Sequence, residues 1–209
     1  MPLQNRVDPY GRLHAVAARG TLMGNRGILH DDARRIVAAW RTRRWIACVL
    51  TFRGRRREVF APRRYSELFF LDEATSLAAG HRPCAECRRG RYEEFRVAWA
   101  TGQRRRRGEP LPAADEIDRL LHGERVPLSG EREGFSATLE SLPSGVLVEH
   151  EGRACLHRDG SLRPWSFEGY GSTLRPKAGT RVRVLTPRSI VEAIRAGFLP
   201  GVHESARRS

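Results

Sequence analysis

Lysine is almost absent from this chain, and cysteine is scarce. Of the 38 basic residues 37 are arginine, Lys177 being the exception, and only four of the 209 residues are cysteine. Four unevenly spaced cysteines are too few for the disulfide framework of a secreted scaffold of this length. The sequence also lacks any apolar run near the ~20 residues of a membrane-spanning helix, and its N-terminus has no basic-then-apolar signal pattern. We therefore expect a cytoplasmic protein without a membrane partner.

The positive charge is concentrated in the N-terminal half. Residues 1–110 hold 24 basic and 11 acidic residues, a net charge of +13, whereas residues 111–209 hold 14 and 13, a net charge of +1. A basic surface of this kind attracts polyanions, and neutralising phosphates is its usual role. The near-exclusive use of arginine is weaker evidence, since genome composition alone can produce it. The segregation of charge favours nucleic acid as the partner.

A pair of cysteines, Cys84 and Cys87, is separated by two residues and follows a short predicted helix and a Gly80-x-x-Pro83 bend. In a reducing compartment such a pair is either metal-binding or redox-active. The redox motif normally follows a strand, whereas the element predicted here is helical, so the spacing favours a structural zinc knuckle.

A closed zinc site needs four ligands, and the knuckle supplies two. Cys48, on a predicted strand, is the simplest third ligand, because small zinc folds often bring one thiol from a hairpin to a knuckle. The alternative for Cys48 is a buried small apolar residue. For the fourth ligand three candidates remain open at this point: His30, His81 and Cys155.

The periodicity predicts an α+β protein with two domains, at residues 1–110 and 111–209. The first is a zinc-centred unit of hairpin, knuckle and helix, and the second is a β-rich domain closed by a C-terminal helix. In the first domain we expect helices at 31–40, 73–79 and 88–101, the last with Tyr92, Phe95 and Trp99 on one face, and a hairpin from strands 45–52 and 57–60. In the second we expect helices at 114–122, with Ile117, Leu120 and Leu121 inward, and from 186 to 196, and strands at 136–142, 145–149, 154–157 and 181–185. Between them, Gln103 to Pro110, a run of four arginines closed by turn formers, is the candidate for a linker or an exposed arm.

The segment from Phe69 to Cys87 resembles the N-terminal metal-binding domain of the Ada DNA-repair proteins. The shared features are the pair Phe69-Phe70, the helix residues Ala74 and Ala78-Ala79-Gly80, and Arg82-Pro83-Cys84-x-x-Cys87 opening the next helix. The strand around Cys48 looks like the position of the family's first cysteine pair. The resemblance implies a thiolate-bound zinc ion in contact with a DNA backbone, in a protein of DNA repair or regulation.

In the resembling family an upstream cysteine also accepts a methyl group from a phosphotriester. Cys48 occupies that region here, but the following residues, Val49 to Phe52, contain no second thiol. The family's four-cysteine cage cannot be assembled from this region, although a Cys3His site remains open to it. Because the position of His81 is usually aromatic in the family, we favour His30 as the fourth ligand.

Our main hypothesis is a zinc protein that binds nucleic acid, DNA in preference to RNA, through phosphate contacts that carry no base information. The arginines that we expect to present positive charge are Arg43, Arg44, Arg55, Arg56, Arg82 and Arg88. Two alternatives stay open. One is an enzyme acting on nucleic acid, by methyl acceptance through Cys48 or by hydrolysis with His30 and Arg26. The other is a zinc-stabilised interaction protein.

A cluster of aromatic residues in the second region also has two interpretations. Trp165, Phe167 and Tyr170 stand near Arg163 and could stack on the bases of a single strand. Burial in the core of a β-rich domain is the commoner use of such residues.

Overall fold

A computed structural model describes residues 1–54, 58–126 and 134–207 of the chain. In these residues two six-stranded sheets and four α-helices form an α+β structure, as the sequence predicts. None of the described helices combines the length and the apolar composition that a membrane span requires.

The first sheet is built from short strands of the N-terminal part. Its members are β1 (Arg6–Val7), β2 (Leu13–His14), β3 (Leu22–Asn25), β4 (Ile46–Cys48), β5 (Leu68–Phe70) and β6 (Arg82–Pro83). The spatial order is β2-β1-β5-β3-β4-β6, so β3 lies between β4 and β5 and is antiparallel to both. β6, which comes just before Cys84, pairs in parallel with β4, which ends at Cys48.

Gly24, in the middle of β3, allows the strands to approach closely. A Cβ atom at this position would lie 2.3 Å from the carbonyl oxygen of Ile46 and 2.8 Å from the ring of Phe70. Any larger residue would push β4 away from β3. The position of Cys48 at the end of β4 therefore depends on this glycine.

Helix α1 (Glu73–Ala78) begins and ends as its sequence predicts. The Asp72 side chain accepts a hydrogen bond of 2.8 Å from the Thr75 amide, which is the geometry of an N-cap. Gly80, with φ of +83°, reverses the chain directly after the helix, in a conformation that suits glycine. The reversal leads into β6 and so to the Cys84–Cys87 segment.

The second sheet is formed by the C-terminal part and all its strand pairs are antiparallel. Its members are β7 (Phe135–Thr138), β8 (Leu147–His150), β9 (Arg153–Arg158), β10 (Ser161–Ser166), β11 (Gly169–Tyr170) and β12 (Arg181–Val184), in the order β11-β10-β9-β8-β12-β7. Along β12 the arginines are exposed and the valines buried, the alternation of a strand with one face on a core. The β-rich second region is thus confirmed, with β10 and β11 as additional strands.

The remaining helices are α2 (Arg89–Gly102), α3 (Ala114–Arg125) and α4 (Arg188–Arg195). They pack with the second sheet into one core. Tyr92, Phe95 and Trp99 of α2 are buried in the same apolar cluster as Val184 and Ile194. The largest core cluster therefore contains residues from both sides of the predicted boundary at residue 110. The helix that follows the cysteine pair joins the two sheets.

Buried polar contacts reinforce this junction. Asp72 accepts hydrogen bonds from the Tyr170 hydroxyl at 2.8 Å and from the His203 amide at 2.9 Å. Glu73 accepts from the Gly201 amide at 2.8 Å and from Arg88 at 2.6 Å. The start of α1 thus holds the C-terminal segment against the first sheet.

Three expectations about local structure differ from the observed fold. Residues 31–40 contain no helix, because the chain turns at Arg34 and Ile36 pairs back with His30 in an antiparallel bridge. β4 pairs with β3 and β6, and residues 58–60, the described part of the expected return strand, form no strand, so the zinc-centred hairpin is not confirmed. In α3, Leu120 points to solvent while Ile117 and Leu121 are buried.

The aromatic cluster of the second region serves the fold. Tyr170 is buried and bonded to Asp72, and the Trp165 indole donates to the Thr75 hydroxyl at 3.0 Å. Phe167 packs edge-on against the Trp165 ring. These contacts attach the edge of the second sheet to α1.

Candidate metal centre

Three cysteines from two distant parts of the chain meet at the edge of the first sheet. The sulfurs of Cys48, Cys84 and Cys87 all lie within 4.8 Å of one another. Around a tetrahedral zinc ion with Zn–S bonds of about 2.3 Å, neighbouring sulfurs are about 3.8 Å apart. The three thiols can therefore hold a metal ion together, as the sequence predicts for these three residues.

The sheet brings Cys48 to the cysteine pair. The Cys84 amide donates a hydrogen bond of 2.9 Å to the Ala47 carbonyl, which extends the parallel pairing of β4 and β6 by one step. The chain then leaves the sheet, and the Arg88 amide closes a turn by donating to the Cys84 carbonyl at 3.2 Å. Cys48 and Cys84 thus end adjacent strands, and the turn returns Cys87 toward both.

Trp45, just before β4, is held in place by contacts with two arginines and with the backbone. Its ring lies 4.1 Å from the guanidinium carbon of Arg26 and 4.2 Å from that of Arg125. The indole nitrogen donates to the Thr42 carbonyl at 2.9 Å. A guanidinium group over the face of an aromatic ring is held there by a favourable electrostatic attraction.

Backbone amides point at the sulfurs. The Glu86 amide donates to the Cys84 sulfur at 3.4 Å, and the Val49 amide donates to the Cys87 sulfur. Such N–H···S bonds favour the thiolate form, which is the form that binds metal.

The three thiols share hydrogen bonds and therefore titrate together. The hydrogen bond with Cys84, together with burial, raises the pKa of Cys48. The bond from Cys48 lowers the pKa of Cys84, and burial raises the pKa of Cys87. The cluster favours one thiolate carried by Cys84, and a cation bound by all three sulfurs would release the protons of the other two.

The structure does not bring His30 to the thiols. Both of its ring nitrogens are engaged elsewhere, Nδ1 with the Ser66 hydroxyl at 2.7 Å and Nε2 with the Ala61 carbonyl at 3.3 Å, and its ring stacks on Phe60. Among the described residues, no histidine, cysteine or carboxylate joins the three sulfurs within the same distance. His30 is thus a buried core residue rather than the fourth ligand that we favoured.

The other two candidates for the fourth ligand also lie elsewhere. His81 is fully buried against the rings of Trp45 and Phe70. Cys155 lies on β9 in the second sheet, opposite Val148.

The predicted nucleic-acid contacts fall into different environments. Arg43 and Arg44 are exposed, and Arg44 makes a loose ion pair of 3.4 Å with Asp115. Arg55 and Arg56 lie outside the described residues. Their contribution to a nucleic-acid surface stays a prediction.

Arg82 and Arg88 are not on the open surface. Arg82 is buried in a two-pronged ion pair with Asp118, with N–O distances of 2.9 and 2.7 Å. The Arg88 side chain is 12 % exposed and pairs with Glu73. Since both guanidinium groups are neutralised inside the protein, they stabilise the fold around the cysteines and do not present charge to a phosphate backbone.

A second set of arginines, not among those predicted from the sequence, lies close along the chain to residues that line the cavity at the cysteines. Arg53, Arg63, Arg64 and Arg89 are exposed, and none forms an ion pair with an acidic residue in the described part of the chain. Arg53 follows Phe52 and Arg64 precedes Tyr65, and both aromatic residues line the cavity next to the cysteines. The aromatic neighbours of Arg53 and Arg64 were a signal in the sequence, whereas Arg63 and Arg89 have no such neighbour.

Comparison with known proteins provides no further assignment. No family model matches the chain, and no curated protein or solved structure matches it significantly. The resemblance of residues 69–87 to the Ada metal-binding domain stays a prediction from the sequence.

Proposed function

We propose that this protein binds one zinc ion through Cys48, Cys84 and Cys87 and binds nucleic acid, preferentially DNA, next to that ion. The observation that carries the proposal is the convergence of three sulfurs within 4.8 Å, although Cys48 is 36 residues from Cys84 in sequence. Soft thiolate donors of this number and spacing suit zinc.

The zinc ion, when bound, would fix the three thiolates at this edge of the sheet. The chain's own residues would perform the binding. Arg53, Arg63, Arg64 and Arg89 are exposed cations close along the chain to residues that line the cavity at the cysteines, and the net charge of +13 in residues 1–110 supplies the surrounding field. Phosphate contacts of this kind give affinity without base selectivity.

Anisotropy titrations with a fluorescent DNA duplex at several salt concentrations test the nucleic-acid part. We expect the double variant Arg63→Ala/Arg64→Ala to weaken binding and to reduce the slope of log K against log salt by about 2, or about 0.9 for each lost phosphate contact. The matched control is Arg153→Ala/Arg175→Ala, which removes two exposed arginines from the second region. Equal losses in both double variants, or affinity that does not change with salt, would contradict the proposed interface.

A second candidate function is methyl acceptance by Cys48, which the sequence resemblance implies. It is favoured by one observation: Cys48 lines a cavity whose wall residues Phe52 and Tyr65 each have an exposed arginine as a neighbour in sequence, and these arginines could hold the phosphate groups beside a phosphotriester. The thiolate sulfur would bond to the methyl carbon while the methyl–oxygen bond breaks and leaves its electron pair on the phosphate oxygen. The test is incubation with methylphosphotriester DNA followed by peptide mass analysis. Methyl acceptance predicts one added methyl group on Cys48, and an unmodified Cys48 would refute it.

A further inference from the structure

The metal centre has three protein ligands in the described part of the chain, whereas zinc normally takes four. The three predicted candidates for the fourth place, His30, His81 and Cys155, are committed to other contacts, as shown above. Structural zinc sites are closed by four protein ligands, and sites with three ligands keep a position for water or for a substrate.

A cavity of about 170 Å³ adjoins the sulfurs. All three cysteines line it, and the other walls come from Asn25, Ile46, Val49, Leu50, Phe52, Tyr65 and Glu86. A water molecule occupies roughly 30 Å³, so the cavity accommodates a donor of several heavy atoms. A molecule in this cavity would lie next to the ion that the sulfurs hold.

Charge decides which kind of donor fits. Three thiolates around a divalent ion leave one net negative charge, and a fourth thiolate would raise it to two in a partly buried site. A neutral donor adds no charge. The cavity also offers hydrogen-bonding groups, on Asn25, Tyr65 and Glu86, to which the remote N–H of an imidazole could donate.

We propose that the fourth coordination position is open and faces this cavity, where it takes an exchangeable neutral donor, water or an imidazole nitrogen. This inference rests on the proposed metal binding through Cys48, Cys84 and Cys87. It makes the centre a ligand-binding site in addition to a structural one.

Cobalt-loaded protein tests the inference, because Co²⁺ replaces zinc and reports its ligands in the visible spectrum. We expect thiolate-to-cobalt charge-transfer bands that stay in place when free imidazole is added, and d–d bands that shift saturably. Leu50→Trp should block the shift, since Leu50 is exposed and its enlarged side chain would fill the cavity. Val97→Trp, an equally exposed site on α2, is the matched control and should keep the shift.

The outcomes separate the two proposals. If the charge-transfer bands form and the d–d bands ignore imidazole, a fourth protein ligand closes the centre and the open position is refuted, while metal binding stands. An imidazole response that persists unchanged in Leu50→Trp would place the donor outside this cavity and refute the inference as well. If no charge-transfer bands form, the three-thiolate metal site itself is refuted, and the open position with it.

Discussion

Replacing Arg82 with methionine should destabilise the protein by about 3 kcal/mol, the lower end of the range for breaking a buried ion pair. The Arg82 and Asp118 side chains are only 4 % and 3 % exposed, so water cannot screen the carboxylate that remains. Burial raises the pKa of Asp118, and the positive charge of Arg125 lowers the pKa of the same carboxylate. Because Arg125 stays in place, we expect the lower end of the range, which corresponds to a fall in Tm of roughly 6–12 °C.

Urea denaturation followed by circular dichroism measures this loss, with two controls. The double variant Arg82→Met/Asp118→Leu should recover most of the stability, because apolar side chains often replace a buried ion pair at little cost. Arg44→Met removes the loose pair with Asp115, in which both side chains are 69 % exposed, and should change the stability by less than about 1 kcal/mol.

The same variants distinguish a structural Arg82 from the phosphate-binding residue that the sequence suggested. Wild-type stability in Arg82→Met together with weakened DNA binding would refute the buried pair. Loss of stability with an unchanged salt slope for DNA binding is the result we expect.

Two further substitutions probe α1 and the turn after it. Burial raises the pKa of Asp72, so the folded state keeps its proton to higher pH than the unfolded chain, and the free energy of unfolding should fall as pH rises from about 4 through the folded pKa. Asp72→Asn should flatten this part of a stability–pH profile, and an unchanged slope would contradict the assignment. Gly80→Ala should cost at least about 1–2 kcal/mol in urea denaturation, because φ is +83° and the new Cβ would lie 2.9 Å from Cδ of Arg125. Gly123→Ala, inside α3 with nothing within 4 Å, should instead stabilise by up to about 1 kcal/mol, and equal effects at the two sites would contradict the strain at Gly80.

Much of the fold could be predicted from local signals in the sequence. The cap at Asp72, the stop at Gly80 and the three- and four-residue spacing of Tyr92, Phe95 and Trp99 each depend on neighbours in sequence, and each prediction is confirmed. The acidic pair Asp31-Asp32, which opens residues 31–40, also looked like a helix start. There Asp31 accepts hydrogen bonds from the backbone and side chain of Arg35, and the segment forms a turn instead.

Strand partners could not be predicted in the same way. The expected hairpin assumed that the strand at Cys48 pairs with the next apolar segment along the chain. Its actual partners, β3 and β6, come from about 20 residues before and about 35 residues after it. Tertiary packing fixes such pairings, here through the close approach of β3 and β4 at Gly24. The periodicity of the sequence does not indicate which strands pair.

In the candidate site, too, some features could be predicted from the sequence and others could not. The spacing of Cys84 and Cys87 indicated the metal knuckle, and Cys48 was the simplest addition. The environment of Arg82 was hidden, because its partner Asp118 lies 36 residues away on a helix that carries no metal motif. His30 looked available in a glycine-rich loop, but it is buried in contact with Ser66, which lies 36 residues away in sequence.

Zinc content per chain tests the central claim most directly. Elemental analysis of purified protein should give one zinc per chain in the wild type and in Cys155→Ser, which removes a thiol of the second sheet. Cys48→Ser should bind zinc much more weakly and lose it to a chelator that leaves the wild type loaded. Wild-type protein without zinc, or Cys48→Ser with full and chelator-resistant zinc, would contradict the three-thiolate centre.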